Sequence, residues 1–425
     1  MTDERTAPDG RAVRPDLVVL ATVGLVLLVL VVVLPHLWYG RNDVSLYQAY
    51  ADQIAQGLTP YLDFDVEYPP LAVHFFRLAG ARLTLEAYAR NFHLEMGVVT
   101  LLTGALAALA ACAVWPRARR AYVAGALYAF GVALTGAIIL NRYDVAVALV
   151  VAAFLLCLVR GWYTAAAVAL GIGFALKITP AALLPLVLLL AGDPRRWAWP
   201  LIGFAGAALA GLMPYLVTAP RGVWHVFQYH LERPLQIESV LGTPMLLGQA
   251  LGAAWVEVGW SHGSHQLIAA GADIAADLSG VLTFGALVVV YIVLLGGRAR
   301  LRAAPEQLPL AVLALLLALM TFGKVLSPQY FIWILPVLAV VAAREPLLGF
   351  LGGILLLLTE IEYPALYVDL VELQPVATGL VVVRNLLLLA LFCLTVWRLH
   401  VDAVARSSPS TSRDAACPQL SDLPS

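Results

Sequence analysis

Lysine is almost missing from this sequence: Lys177 and Lys324 stand against 24 arginines. Charge of either sign is scarce. Asp, Glu, Lys and Arg make up 12% of the 425 residues, about half of what a soluble globular domain carries. That scarcity excludes a soluble enzyme and a disordered chain. Cysteine is limited to Cys112, Cys157, Cys393 and Cys417. No pair has metal-ligand or redox spacing, which excludes a disulfide scaffold. A net charge of −1 leaves no basic field for nucleic acid. Neither a polybasic tail nor a lipid anchor is present.

What is there is apolar. Hydrophobic residues are 61% of the chain and mean hydropathy is +0.86, the values of a protein solvated by lipid. Arginine bias with heavy Ala, Leu and Val usage marks a GC-rich bacterial genome. A bilayer core takes about 20 apolar residues per helix. Twelve segments qualify, with the count open by about two: 17–35, 92–115, 121–139, 145–160, 163–176, 178–191, 197–217, 279–296, 308–323, 329–342, 346–360 and 376–398. The fifth and sixth are short and flank Lys177 and Pro180, so a tight hairpin or half-helices fit there. No small-x-small cleavage site follows the first, which reads as an uncleaved signal anchor.

Basic residues set the orientation. With the N-terminus in the cytoplasm, Arg117, Arg119, Arg120, Arg160, Arg195, Arg196, Arg298, Arg300, Arg302, Arg344 and Arg398 all fall inside, in short loops. The expected protein is an all-α polytopic one of the bacterial plasma membrane, with both termini cytoplasmic. One transmembrane domain covers 1–398, with external loops 36–91 and 218–278. A disordered cytoplasmic tail covers 399–425. No strong internal repeat is seen. Most acidic residues and histidines lie outside, and both lysines sit at outer helix ends, so the chemistry belongs on the external face.

The first external loop is the densest. Apolar residues at Val44, Tyr47, Tyr50, Ala51 and Ile54 have helical spacing, so 44–57 should lie flat on the interface. Pro69-Pro70 then leads into 71–80, too short to span. Asp43 fits as an N-cap of 44–57. Yet Asp52, Asp63, Asp65 and Glu67 follow within 25 residues, and a carboxylate cluster beside a bilayer normally binds a cation, takes a proton or meets a polar ligand. Asp63-x-Asp65 offers oxygen ligands for a divalent cation. His262 and His265 have i, i+3 spacing in a Gly/Ser-rich loop, a weaker metal candidate. No cofactor is expected, and a divalent cation is a possibility kept open. Trp38, Tyr39, Trp224, Tyr229, Trp255 and Trp260 fit either an interface belt or sugar stacking.

The first-loop Asp43, the tyrosine-bearing stretch after it, Gly57-x-x-Pro60-Tyr61 and Glu67-Tyr68-Pro69-Pro70-Leu71 resemble the GT-C superfamily of polytopic glycosyltransferases. Asn141-Arg142-Tyr143-Asp144, Leu176-Lys177-Ile178-Thr179-Pro180, His230 to Ser239 and Ser327-Pro328-Gln329-Tyr330 follow in the same order. Together, over roughly 36–336, they look like glycosyltransferase family 87, the actinobacterial polyprenyl-phosphate-mannose-dependent α-mannosyltransferases.

The resemblance implies a GT-C helix bundle with its active site on the external face and an inverting reaction. It also implies partners: a polyprenyl-phosphate sugar donor, a glycolipid or lipoglycan acceptor, and the bilayer. The family's base falls on Asp43, with Glu67 and His230 as alternatives. A leaving phosphate needs cations, for which Arg142, Lys177, Arg233 and Lys324 are the candidates against simple snorkelling. Tyr68, Asp144, Gln236, Glu238 and Gln329 are the candidates for holding sugar or acceptor, since such groups exchange hydrogen bonds with hydroxyls. Gln329 also fits as a partner for backbone freed near Pro328. The rival readings are a transporter or flippase of lipid-linked sugars, and a structural membrane subunit. A transporter should carry ionisable groups at the midplane, whereas here they collect at the outer surface.

Overall fold

In lipid an apolar segment must satisfy its own backbone hydrogen bonds, and a helix does so alone. The computed structural model describes residues 13–34 and 42–404, and each of the twelve expected spans carries a helix there. Helix α1 (Pro15–Leu28) widens into a π turn over Val29–Val33. Helix α2 (Asn42–Ala55) falls where a helix lying on the interface was expected, but its apolar residues Val44, Tyr47, Tyr50 and Ala51 are buried in the protein core, and the short α3 (Pro70–Leu78) packs against it. Then come α4 (Leu85–Val114), α5 (Ala118–Leu134), the single turn α6 (Ile138–Asn141), α7 (Asp144–Val159) and α8 (Tyr163–Leu176). After Lys177 a 3-10 turn at Thr179–Leu183 runs straight into α9 (Leu184–Ala191), so the sixth segment is a broken helix. Helix α10 is Ala198–Thr218.

The second external segment is more ordered than a loop. It holds α11 (Pro220–Glu232), α12 (Thr243–Ala250) and an antiparallel hairpin of β1 (Val256–Ser261) and β2 (Ser264–Ala269). The hairpin turn is His262-Gly263, with φ +47 and +67, the left-handed pair that a two-residue turn needs. The helical architecture therefore carries one small sheet. Four helices cross the rest of the chain: α13 (Ala272–Gly296), the short α14 (Arg298–Ala303), α15 (Leu308–Phe322) and α16 (Phe331–Ala342). The chain ends in α17 (Pro346–Glu360), the one-turn α18 (Tyr367–Val371) and α19 (Pro375–Val404). Helix α19 continues to Val404, past residue 399, where the tail was expected to begin. No helix breaker stands in residues 399–404, so the helix carries on through them. Trp38, Tyr39 and Cys417 lie outside the described residues.

Among the described residues seven helices are long and apolar enough to cross a membrane: Pro15–Val33, Leu85–Val114, Pro194–Thr218, Ala272–Gly296, Pro305–Phe322, Pro346–Ala365 and Pro375–Asp402. The shorter ones are shielded. Every residue of α16 is buried, among α4, α5, α7, α15 and α17. Small residues let helices close up: a Cβ on Gly171 of α8 would stand 2.3 Å from the Phe204 carbonyl of α10.

Long-range contacts define two ends. At one, Arg302 donates to the carbonyls of Leu189 and Leu190, Arg344 pairs with Asp402, and Trp115 Nε1 donates to Val340. This is the arginine-rich end. The other end gathers α2, α3, α11 and the hairpin, with most of the singled-out carboxylates. Most spans are free of charge, and a few carry an ionisable group. Glu95 lies in α4, Glu360 closes α17, Glu362 follows it, and Arg384 lies in α19.

Candidate active site

The centre of the site is the turn between α6 and α7. The chain breaks helix at Gly136 (φ +55), makes the single turn α6, and extends at Arg142 before α7 starts at Asp144. Arg142 and Asp144 then each find an opposite charge. Arg142 forms an ion pair with Asp43 on the first turn of α2. Its other amino group donates to Tyr363 Oη at 3.2 Å. Asp43 is thus in α2 itself, and it keeps 23% of its side-chain surface exposed.

Asp144 is 1% exposed and receives Lys177 Nζ at 2.7 Å and Trp333 Nε1 at 2.8 Å. Lys177 caps the end of α8, and three rings surround it. Its ammonium lies 4.7 Å from the centroids of Tyr330 and Trp333 and 5.4 Å from Tyr143. A cation so placed is attracted by every ring face. Lys177 therefore does not snorkel; it is held at one point by a carboxylate and an aromatic wall. Asp144 is a positioning group for it and is closed to sugar. Tyr68 packs beside this wall, with its ring 5.2 Å from Tyr143 and 5.8 Å from Tyr47.

Glu67 faces the same end from the first external segment. It accepts from Tyr229 Oη at 2.5 Å, and the hairpin glycine Gly263 lies against its carboxylate. His230 occupies the last turn of α11, where a loop was expected. Burial pushes its imidazole down to about 4, and the charges of Arg233, Lys177 and Lys324 reinforce the shift. Three of the four expected cations thus act on one neutral ring. Arg233 donates to Ser264 Oγ at 2.6 Å and keeps a buried Nε without a hydrogen-bond partner. Lys324 donates to the Leu231 carbonyl at 2.5 Å, and burial lowers its pKa.

Gln236 and Glu238 depart from expectation. They are 2% and 1% exposed, not a sugar-binding wall. Gln236 Oε1 accepts from Leu326 N at 3.0 Å and from Ser327 Oγ, and its amide donates to Glu238. Gln236 therefore serves the backbone before Pro328, a task that also fitted Gln329. Gln329 lies on the 3-10 turn Pro328–Tyr330 and shares none of these hydrogen bonds. Glu238 in turn meets Glu362 and Arg384. Arg384 pairs with Glu362 and donates to the Glu238 carbonyl at 2.6 Å, and both Arg384 and Glu362 have zero exposure. Asn385 extends this clasp to Ser239 and Thr243. Burial and the Glu362 charge push the Glu238 carboxyl well above its usual range, and the Arg384 guanidinium beside it opposes the shift.

The metal candidates do not assemble. Asp63 accepts from Thr59 N at 2.7 Å, while Asp65 is exposed. His262 turns to Ser261 Oγ and His265 to Tyr367 Oη. Among the described residues no three His, Cys, Asp or Glu side chains group as a metal site. Sequence reading missed Trp333, Tyr363, Glu362 and Arg384 as members of this end, and placed Tyr229 there only as a belt or stacking ring. A signal for two of them exists: Glu362-Tyr363-Pro364 repeats Glu67-Tyr68-Pro69.

An apolar cavity of about 510 Å³ opens between α5, α16 and α17, lined by residues such as Leu127, Phe130, Leu335, Leu338 and Phe350. Its wall residue Leu356 also lines a smaller hollow with Thr135, Thr359 and Glu360. Ile138 of that hollow lines a third one together with Asp43, Arg142 and Tyr363. The apolar groove and the ion pair are therefore neighbours through two shared side chains.

No family model and no curated protein matches the chain. Among solved structures it is similar to the oligosaccharyltransferase of Archaeoglobus fulgidus, crystallised with a tethered acceptor peptide containing the NVT sequon. The identity is 13% and the TM-score 0.40, over 91% of this chain and 55% of that one. The chain spans about half the length of that enzyme.

Proposed function

We propose that the chain is an inverting GT-C-type glycosyltransferase. It moves a sugar, mannose by the sequence resemblance, from a polyprenyl-phosphate donor to a glycolipid or lipoglycan at the external face of a bacterial plasma membrane. The observation that carries this reading is the turn 141–144. It sets an accessible carboxylate, Asp43, beside Arg142 and within one residue of the Asp144–Lys177 pair. An apolar groove large enough for part of a prenyl chain adjoins it.

In this reading the acceptor hydroxyl gives its proton to Asp43 as its oxygen bonds the anomeric carbon. The bond from that carbon to the phosphate oxygen breaks, and the polyprenyl phosphate leaves with the electron pair. Arg142 and Lys177 stabilise the charge that develops on it. Glu67 and neutral His230 stand by as hydrogen-bond partners for the sugar. The cations Arg233 and Lys324 supply the electropositive rim that draws phosphate inward.

The test is transfer from radiolabelled polyprenyl-phosphate-mannose to lipids of membranes that contain the wild type or Asp43→Asn. Labelled product that disappears in the variant at equal protein level supports the reading. Transfer that survives the substitution moves the base to Glu67 or His230. No transfer by the wild type from a panel of polyprenyl-phosphate sugars would return the chain to the transporter class.

A further inference from the structure

Four aromatic rings run from open solvent to the Asp43–Arg142 pair. Trp260 stands on the exposed side of β1 with 66% of its surface free. Its ring lies 4.7 Å from that of His265, its cross-strand partner. His265 lies 5.5 Å from Tyr367, and Tyr367 lies 5.2 Å from Tyr363. Tyr363 sits under the Arg142 guanidinium at 5.8 Å and lines the hollow that contains Asp43.

Each inner ring is partly buried, with Tyr363 and Tyr367 backed by the core, and each keeps part of its surface open. Each also carries a polar tip. His265 Nδ1 and Tyr367 Oη are 3.1 Å apart, and Tyr363 Oη accepts from Arg142. Flat apolar faces edged by hydroxyl and imidazole groups match the two kinds of surface on a sugar ring, its C–H face and its hydroxyl rim. A prenyl chain would need no polar tips, and a phosphate would need cations along the row.

We propose that this row is the acceptor track, and that the acceptor is a saccharide presented from the aqueous side over the β1–β2 hairpin. The inference rests on the glycosyltransferase reading and adds a direction to it. The glycan of the acceptor lies along Trp260, His265 and Tyr367, and its terminal hydroxyl reaches Asp43 past Tyr363. The donor's lipid occupies the opposite side, in the groove between α5, α16 and α17. Trp260 is then a specificity residue for the acceptor. A membrane-anchoring Trp260 is the competing role, and apolarity without a ring face separates the two.

The full chain in lipid nanodiscs is given saturating labelled polyprenyl-phosphate-mannose and titrated with a glycolipid extract of the host membrane. Trp260→Phe keeps a ring, Trp260→Leu keeps apolarity alone, and Trp260→Ala keeps neither. The proposal expects Phe within twofold of wild type. It expects Leu and Ala to raise the half-saturating acceptor level about three- to tenfold at an unchanged maximal rate. Leucine equal to wild type would make Trp260 a membrane anchor, and alanine equal to wild type would remove the track.

A second measurement does not depend on turnover. Saturation-transfer NMR with mannotetraose and other neutral tetrasaccharides should give a contact signal that Phe keeps and that Leu and Ala lose. Signals indifferent to Trp260 overturn the track even where transfer is intact. Binding without transfer overturns the enzymatic reading and leaves the saccharide surface standing.

Discussion

Two arginine–carboxylate pairs stand at the same end of this bundle and differ in almost everything but chemistry. Arg142 and Asp43 keep 13% and 23% of their side chains exposed, and they line a hollow. Arg384 and Glu362 keep none, and a second acid, Glu238, is pressed against them. A partly open pair can exchange partners with a ligand. A sealed pair cannot, because breaking it strands a charge. The contrast teaches that burial, more than residue type, separates the groups proposed to react from those that hold residues 236–243 in place.

The sharpest way to break the comparison is to neutralise the open pair. Asp43→Asn should lower the transfer rate about 10²- to 10⁴-fold while the unfolding temperature in detergent stays put. An equal loss of fold would put Asp43 in the same class as Glu362. Next is Lys177→Met, which should slow transfer about 10²- to 10³-fold, as expected for one lost donor to a developing oxyanion.

The sealed pair should behave in the opposite way. Arg384→Met leaves two buried acids without a counter-charge and should cost about 3–5 kcal/mol of stability. Adding Glu362→Leu should recover part of it, measured as chemical or thermal unfolding of purified protein. A variant that unfolds normally but transfers slowly would show that the clasp is part of the chemistry.

A smaller effect follows from His230. Its folded pKa of about 4 lies below the ordinary value near 6.5. Between those values the unfolded chain takes a proton that the folded one refuses. Its contribution is therefore fully present above about pH 6.5 and is lost as pH falls towards 4. Unfolding temperature should fall less steeply with acid in His230→Gln than in the wild type. Smallest is Asp63→Ala, which removes only an exposed turn contact to Thr59. Metal-free and metal-loaded transfer should be alike in the wild type and in that variant, and a metal dependence of the wild type that the variant loses would revive a cation site at Asp63-x-Asp65.

The spans were readable because hydropathy over 20 residues survives almost any packing, and α2 and α3 because their apolar spacing has no other use. Arg142, Asp144 and Lys177 were readable as helix-end charges, but their pairings were not. Asp43 meets Arg142 across 99 positions, and Lys177 meets Asp144 across 33. The clasp was hidden for the same reason. Arg384 is one letter in a long apolar run, and its partner Glu238 lies 146 positions earlier. The hairpin did leave a trace. Val-Glu-Val-Gly-Trp-Ser and Ser-His-Gln-Leu-Ile-Ala flank a His-Gly pair, but a loop rich in Gly and Ser masks so short an alternation.

Helix α4 is 30 residues long. At 1.5 Å per residue it measures about 45 Å, against about 30 Å of hydrocarbon. Its polar first turns, with Glu86, Arg90 and His93, therefore stand as a pier above the oil, and His93 touches Asn141 at 2.8 Å. The turn 141–144 is tied to that pier, and under the proposed chemistry it would work at the height of the headgroups. A phosphate anchored by a prenyl chain already sits at this level. Under the proposed chemistry, neither substrate would have to climb or sink: the lipid stays in oil, the glycan stays in water, and the bond changes hands at the waterline.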